Sequence, residues 1–283
     1  MKFTFGIITS SGKVYLPDGK IRPDATNRHL VTCLESIFKL KIPKDSFEIV
    51  LVGGEDPAQF WSGPSSMIKW IPFDDEEKSG WITRKKNIIT ENSKFDNIVY
   101  MLDYYSLDDN WYSGFVEFGD SWDVCMCIKV SKEGIRFRDW IAWDDPTLCF
   151  TDGNPKAGYA PWTGRSEPYH IAVNVPYTYR KTKHLYVSGG YWVAKKSFME
   201  KFPLDENVLW GQSEDVEWSK RWLTTEEYMY VMNTKSTVHL LKPKRLSCAY
   251  SDDGVRLFPG RSILSSKSGI PSCWRENEWY KNV

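Results

Sequence analysis

Apolar runs of strand length punctuate the first hundred residues. Residues 3–9 (FTFGIIT), 47–52 (FEIVLV), 67–71 and 97–102 (NIVYML) each read as a short buried strand. Between them the period changes. Leu30, Val31, Leu34, Ile37 and Phe38 recur at helical spacing, after Thr26 or Asn27 as a cap. Residues 81–91 (WITRKKNIITE) form a second helical segment, with Ile82, Ile88 and Ile89 as its apolar stripe. Strands apolar on both faces that alternate with helices imply an α/β fold with a mostly parallel sheet. Ligands of such sheets bind beyond the carboxyl ends of the strands. Thr9, Ser10, Gly53, Glu55 and Asp103 all stand at those ends, so they converge on one rim. The acidic run at 74–77 (DDEE) reads as a solvated loop.

The second half is less regular. Residues 122–130 predict a strand, and 134–145 (GIRFRDWIAWDD) alternate as β structure. Residues 146–184 are rich in Pro, Gly and aromatics and read as a long functional loop. Residues 185–195 (LYVSGGYWVAK) predict a strand broken by Gly189-Gly190, the mark of a bulge or a close backbone approach. Trp192 follows at the alternation that shares a face with Gly190. A helix over 213–223 and a strand over 237–241 (TVHLL) complete the elements, and 246–283 reads as a tail without its own core.

The chain has 283 residues, enough for one large domain or two small ones. Its 37 basic and 37 acidic residues cancel, which argues against a nucleic-acid protein held by phosphate contacts. Aromatics reach 15%, with 14 tryptophans. Tryptophan serves cores, but an excess also suits ring-shaped ligands such as sugars. The six cysteines (33, 125, 127, 149, 248 and 273) include no CxxC pair, and read as free thiols of a reducing compartment. Cys125 and Cys127 share a strand face. The N-terminal apolar run is too short for a signal peptide, and no stretch reaches the length of a membrane span. These features predict a soluble cytoplasmic protein.

Candidate chemistry gathers at a few positions. Asp103, directly after a buried strand, either caps a turn or holds a hard divalent cation, Mg²⁺ or Mn²⁺. His239 is either a core histidine or a second ligand, since Mn²⁺ also accepts imidazole. Lys85, Lys86 and Asn87 form either a solvated basic face or a diphosphate contact. The stretch WGQSEDVEW, 210–218, holds Glu214, Asp215 and Glu217 between two tryptophans. Acids in a first helical turn are favoured by the helix dipole, by about 0.3–1 kcal/mol each. On an ideal helix Glu214 and Glu217 share a face, and Asp215 points about 100° away. One direction can therefore face a pocket while the other faces solvent.

Together these pieces resemble the GT-A (Rossmann-like) nucleotide-sugar glycosyltransferases near family 2. The order is a strand ending in Thr-Ser, a second strand leading to an acid, a Lys-Lys-Asn helix, then a strand ending in Asp. SGGYWVAKKSF followed by WGQSEDVEW is similar to the Gly-Gly and Trp-Gly-x-x-Glu-Asp elements of inverting, galactosyltransferase-type members. The resemblance covers about residues 1–245: a nucleotide-binding half, 1–103, and an acceptor-side half, 104–245. It implies that Thr9, Ser10 and Glu55 line the nucleoside pocket, with Lys85, Lys86, Asn87 and Asp103 on the donor side. It implies a metal held by Asp103 and His239, and Asp215 as the base that deprotonates the acceptor hydroxyl. Glu214, Gly190, Trp192 and Trp210 would meet the acceptor, with Trp140, Trp143 and Trp162 shaping that side. The implied reaction moves a sugar, from a donor such as a UDP-sugar, to a glycan hydroxyl with inversion. Two departures stand out. The sequence reads Asp103-Tyr104-Tyr105, without the second carboxylate of a DxD element, and Asp108 and Asp109 are spaced wrongly to replace it. Gly53-Gly54 also displaces the acid expected after the second strand.

Two other classes compete. A sugar-phosphate nucleotidyltransferase would need a Gly-rich phosphate loop with an Arg, which FGIITSSGKVYLPDGK does not supply. A non-catalytic carbohydrate- or nucleotide-binding protein fits the tryptophans and the missing carboxylate.

Overall fold

The computed structural model describes residues 1–9, 14–15, 21–22, 28–54, 56–75, 78, 81–132, 134–143, 172–175, 177–179, 183–208, 213–225 and 227–242. The first apolar run forms β1 (Phe3–Ile8). A hairpin follows, β2 (Val14–Tyr15) with β3 (Ile21–Arg22), and then α1 (Arg28–Lys39). The next strands and helix are β4 (Phe47–Val52), β5 (Ile68–Ile71), α2 (Ile82–Asn92) and β6 (Asn97–Leu102). The remainder comprises β7 (Tyr105–Leu107), α3 (Trp111–Phe118), β8 (Val124–Ser131), β9 (Ile141–Trp143), β10 (Ala172–Asn174), β11 (Leu185–Tyr186) and β12 (Tyr191–Lys195). Helices α4 (Lys196–Lys201) and α5 (Glu214–Leu223) and the long strand β13 (Tyr230–Leu240) close the order.

Eight strands make the main sheet, in the order β5-β4-β1-β6-β12-β8-β13-β7. β5, β4, β1 and β6 run parallel in sequence, as do β8 and β13. β12 is antiparallel to both its neighbours, and β7 is antiparallel to β13. The sheet is therefore mostly parallel, with helices on both faces. Alternation along β1 sorts the two cores. Phe3, Phe5 and Ile7 pack with Leu30, Cys33, Leu34 and Ile37 of α1 and with Trp111 and Phe115 of α3. Ile8 belongs to the opposite core, with Ile82 and Ile89 of α2, Phe198 of α4 and Trp218 and Trp222 of α5. A Cβ at Gly6 would lie 2.3 Å from Ile89 Cγ2, so α2 rests directly on the β1 backbone.

Two expectations change. Residues 134–145 are not one strand. Arg136 bridges Val130 of β8 in antiparallel fashion, Arg136 and Asp139 pair with each other at 2.8 Å, Arg138 takes a left-handed φ of 41°, and among the described residues of this run only Ile141–Trp143 forms a strand. That strand joins β10 and β11 in a separate three-stranded sheet. The run therefore pairs briefly with β8 around Arg136, breaks where Arg136 and Asp139 turn their side chains on each other, and resumes as a strand at Ile141. The acidic run is not wholly solvated either, because Asp75 Oδ1 lies 2.6 Å from Lys85 Nζ. Cys125 and Cys127 do share a face, in the core with Tyr191, and both are free thiols, as is Cys33. Cys149, Cys248 and Cys273, the Thr26/Asn27 cap and the 246–283 tail lie outside the described residues. Among the described residues no helix is long and apolar enough to cross a membrane.

Candidate active site

Because β1, β4 and β6 are parallel and in register, their carboxyl ends reach one edge together. The ladder runs one residue further on each. The Thr9 amide donates to Val52 O, Gly53 to Ile71 O and Asp103 to Ile8 O, at 3.0–3.1 Å. Thr9 Oγ1 then donates to Asp103 Oδ2 at 2.9 Å. Lys85 Nζ comes up from α2 to Thr9 O at 2.9 Å and to Asp75, under the ring of Phe73. Gly53 has φ +93°, and a Cβ there would lie 2.4 Å from Thr9 O and 2.9 Å from Lys85 Nζ. Only glycine fits this turn. Asp103 is partly exposed. Burial pushes its carboxyl above the ordinary value, opposed by Lys242, the Thr9 hydroxyl, His29 and Lys85. Burial and Lys242 lower the His29 imidazole, and Asp103 opposes them.

A second cluster sits at the start of α5. Ser213 enters the helix with a left-handed φ of 61°. Glu214 and Asp215 then both turn towards Gly189, whose missing Cβ would stand 2.7 Å from Glu214 Oε1 and 3.0 Å from Asp215 Oδ2. Asp215 Oδ2 accepts the Gly189 N–H at 2.6 Å, and Oδ1 accepts the Val216 N–H at 2.9 Å. Lys86 Nζ is 3.4 Å from Glu214 Oε1, donates to Gly189 O at 3.1 Å and stands over the Trp192 ring. Burial and the neighbouring Glu214 push the Asp215 carboxyl up, while Gly189 N–H, Lys86 and Val216 N–H hold it down. Burial lowers the Lys86 amine against the pull of Glu214 and Asp215. Glu217 instead pairs with Arg221 at 2.7 Å on the surface. The inward pair is thus Glu214 with Asp215, the two that the resemblance placed at the acceptor, although an ideal helix would set them about 100° apart. The bare backbone at Gly189 admits two consecutive carboxylates.

The clusters adjoin. The Leu102 amide donates to Gly190 O at 3.0 Å, which ties the Gly-Gly turn to the end of β6. Tyr104 stands where its half-buried hydroxyl is pushed up by burial, Tyr105, Asp103 and Glu214. Asp103, Tyr104, Gly189, Gly190 and Asp215 are all partly exposed, over a floor of buried Lys85, Lys86 and Glu214.

Several predicted site residues take other roles. Lys85 and Lys86, 4% and 1% exposed, are not a solvated basic face. Asn87 exchanges hydrogen bonds with the Leu204 main chain in both directions, at 2.9 and 3.0 Å, and so fastens that segment to α2. Trp192 is fully buried between Tyr100 and Trp218 and offers no face to a sugar. Gly190 lies in the turn before β12, so strand alternation does not reach it, and a Cβ there would strike Tyr105 at 2.7 Å. Trp140 is buried against Tyr230. Ser10, Glu55, Trp162, Trp210 and the Trp143 side chain lie outside the described residues. His239 sits opposite Ser106 across the β13–β7 ladder and meets Asp108 at 2.6 Å. That pair lines a separate groove of about 310 Å³ with Thr32, Ser36 and Lys39.

The metal that the resemblance implies finds a poor donor set among the described residues. None of them form a group of three or more His, Cys, Asp or Glu able to hold an ion. Asp103 keeps company with cations, and Tyr105, where a second carboxylate would stand, is buried in the core. Sequence reasoning missed His29, Asp75, Tyr104 and Lys242. No spacing signals His29, Asp75 or Lys242, which reach the site from distant parts of the chain, and Tyr104 was read only as the residue between Asp103 and Tyr105.

No family model and no curated protein matches the sequence. Among solved structures, S. aureus TarS aligns with a TM-score of 0.49 and 12% identity, over 86% of this chain and 37% of that one. S. aureus TarS 1–349 aligns with a TM-score of 0.48 and 13% identity, over 82% of this chain and 60% of that one. The chain therefore spans less than two thirds of the length of each of these structures.

Proposed function

We propose that the chain is an inverting glycosyltransferase that moves a sugar from a nucleotide-sugar, of the UDP-linked class, to a hydroxyl of a glycan. The observation that carries the reading is the Glu214–Asp215 pair, folded onto Gly189 next to the Thr9–Asp103 rim. The donor's nucleoside and diphosphate lie along the rim, where ligands of parallel sheets bind. The acceptor enters over Gly189 and Gly190. Each oxygen of Asp215 already accepts one backbone N–H, and a carboxylate oxygen has room for a second hydrogen bond. Asp215 takes the proton of the acceptor hydroxyl. That oxygen forms the new bond to the sugar carbon, and the nucleoside diphosphate leaves with the electron pair of the bond that breaks. A carboxyl pushed up by burial is a stronger base than an exposed one. Glu214, anchored by Lys86, holds the pair in place and faces the acceptor.

The test is Asp215→Asn, assayed for sugar transfer and for nucleotide binding. Turnover should fall by about 10²–10⁴-fold, with the Kd for the nucleotide unchanged. Undiminished turnover would remove Asp215 from the mechanism. Nucleotide binding without transfer by the unaltered chain would favour the binding-only class.

A further inference from the structure

The open side of the Asp103 rim carries positive charge. The Leu241 amide donates to Tyr104 O at 2.8 Å, which fixes the end of β13 against the residue after Asp103. The next side chain, Lys242, is exposed, and its Nζ stands 4.8 Å from the Tyr104 ring centre. His29, partly exposed in the first turn of α1, is near enough to both Asp103 and Lys242 to feel their charges. Lys85 and Lys86 cannot serve a ligand in the same way. Both are buried, and their ammonium groups are engaged by Asp75, Thr9 O, Glu214 and Gly189 O.

A hard cation on a diphosphate usually brings one or two protein carboxylates. Here Asp103 accepts the Thr9 hydroxyl and is followed by two tyrosines. Among the described residues no group of three or more His, Cys, Asp or Glu could hold such an ion, and the charged side chains felt by Asp103 are Lys242, His29 and Lys85.

Resting on the transferase reading above, we infer that Lys242 neutralises the leaving diphosphate and His29 helps to hold it, in place of a divalent cation. Lys242 supplies a mobile ammonium and His29 a ring N–H, and both approach the phosphates from the solvent side of Asp103. Stabilising charge that develops on a leaving group needs donors aimed at it, and these donors need not be a metal.

The experiment is a binding titration of the full chain in EDTA with UDP, GDP and ADP. The monophosphate of whichever base binds serves as comparator. One diphosphate should bind in EDTA, and added Mn²⁺ or Mg²⁺ should leave its Kd essentially unchanged. Lys242→Met should weaken the diphosphate about tenfold and the monophosphate much less, the loss of one charged contact. His29→Ala should act in the same direction, and covers the case in which the first variant folds poorly. Binding that requires Mn²⁺ or Mg²⁺ would overturn the inference and leave the transferase reading standing. So would a Lys242→Met chain with wild-type affinity. No binding of any nucleotide, with or without metal, would bring down the transferase reading itself.

Discussion

Gly189 decides whether the two acids can act together. A methyl group at 189 would press on Glu214 Oε1 at 2.7 Å and on Asp215 Oδ2 at 3.0 Å. Neither carboxylate can yield freely, since Lys86 holds one and two backbone N–H groups hold the other. Gly189→Ala should therefore displace the pair by a fraction of an ångström to an ångström. Such a misplacement costs up to about 10²-fold in rate. The expected result is that loss in kcat with nucleotide affinity intact, because the Thr9–Asp103 contact does not involve Gly189. A Gly189→Ala chain with full turnover would show that the pair is structural. The stretch WGQSEDVEW made the acids visible in the sequence, but helical spacing did not show which two point inwards. That depended on a glycine 25 residues upstream of Glu214, to which no local period refers.

At the scale of elements, the legible parts were those buried on both sides. β1, β4 and β6 read as unbroken apolar runs because each meets a core on either face. α1 and α2 followed from their stripes. β7 has three residues and a polar centre, too little pattern to detect. β13 was seen only over its last part. Its register shifts between Asn233 and Thr237, and Lys235 and Ser236 fall inside that irregularity. Asn233 and Ser236 are buried because they bond to each other at 2.9 Å. The three-stranded sheet was hidden for a similar reason. Asp139 is fully buried and accepts from Arg136, the Trp140 N–H and the Tyr177 hydroxyl. It fastens β9 to the segment after β10, where Arg136 also donates to Val175 O at 2.7 Å. Removing one partner of a buried ion pair costs about 3–5 kcal/mol. Asp139→Ala should lower Tm by roughly 6 °C or more in a thermal melt. A shift within error would mean that the pair adds nothing to the fold.

Among the described residues the tryptophans resolve largely into core. Trp111, Trp192, Trp218 and Trp222 are fully buried, three of them in the layer beneath the Gly189 turn. That rigid layer holds charges where water would otherwise shield them, and a cleft so built works against stability. Asp103 makes the conflict measurable. Its carboxyl lies above the ordinary value of 3.8 because burial outweighs Lys242, Thr9, His29 and Lys85. Between that value and the raised one the folded chain binds more protons than the unfolded chain, so stability falls as pH rises through the window. Above the window the full penalty persists. An asparagine keeps an acceptor for Thr9 and carries no charge. Asp103→Asn should therefore melt above the wild type at pH 8, measured in EDTA. The gap should narrow as pH falls through the window, where the wild-type carboxyl takes up its proton. A variant less stable at pH 8 would show that the surrounding cations welcome the ionised form. In that case the rim would be organised around a permanent negative charge at Asp103 rather than around an incoming one.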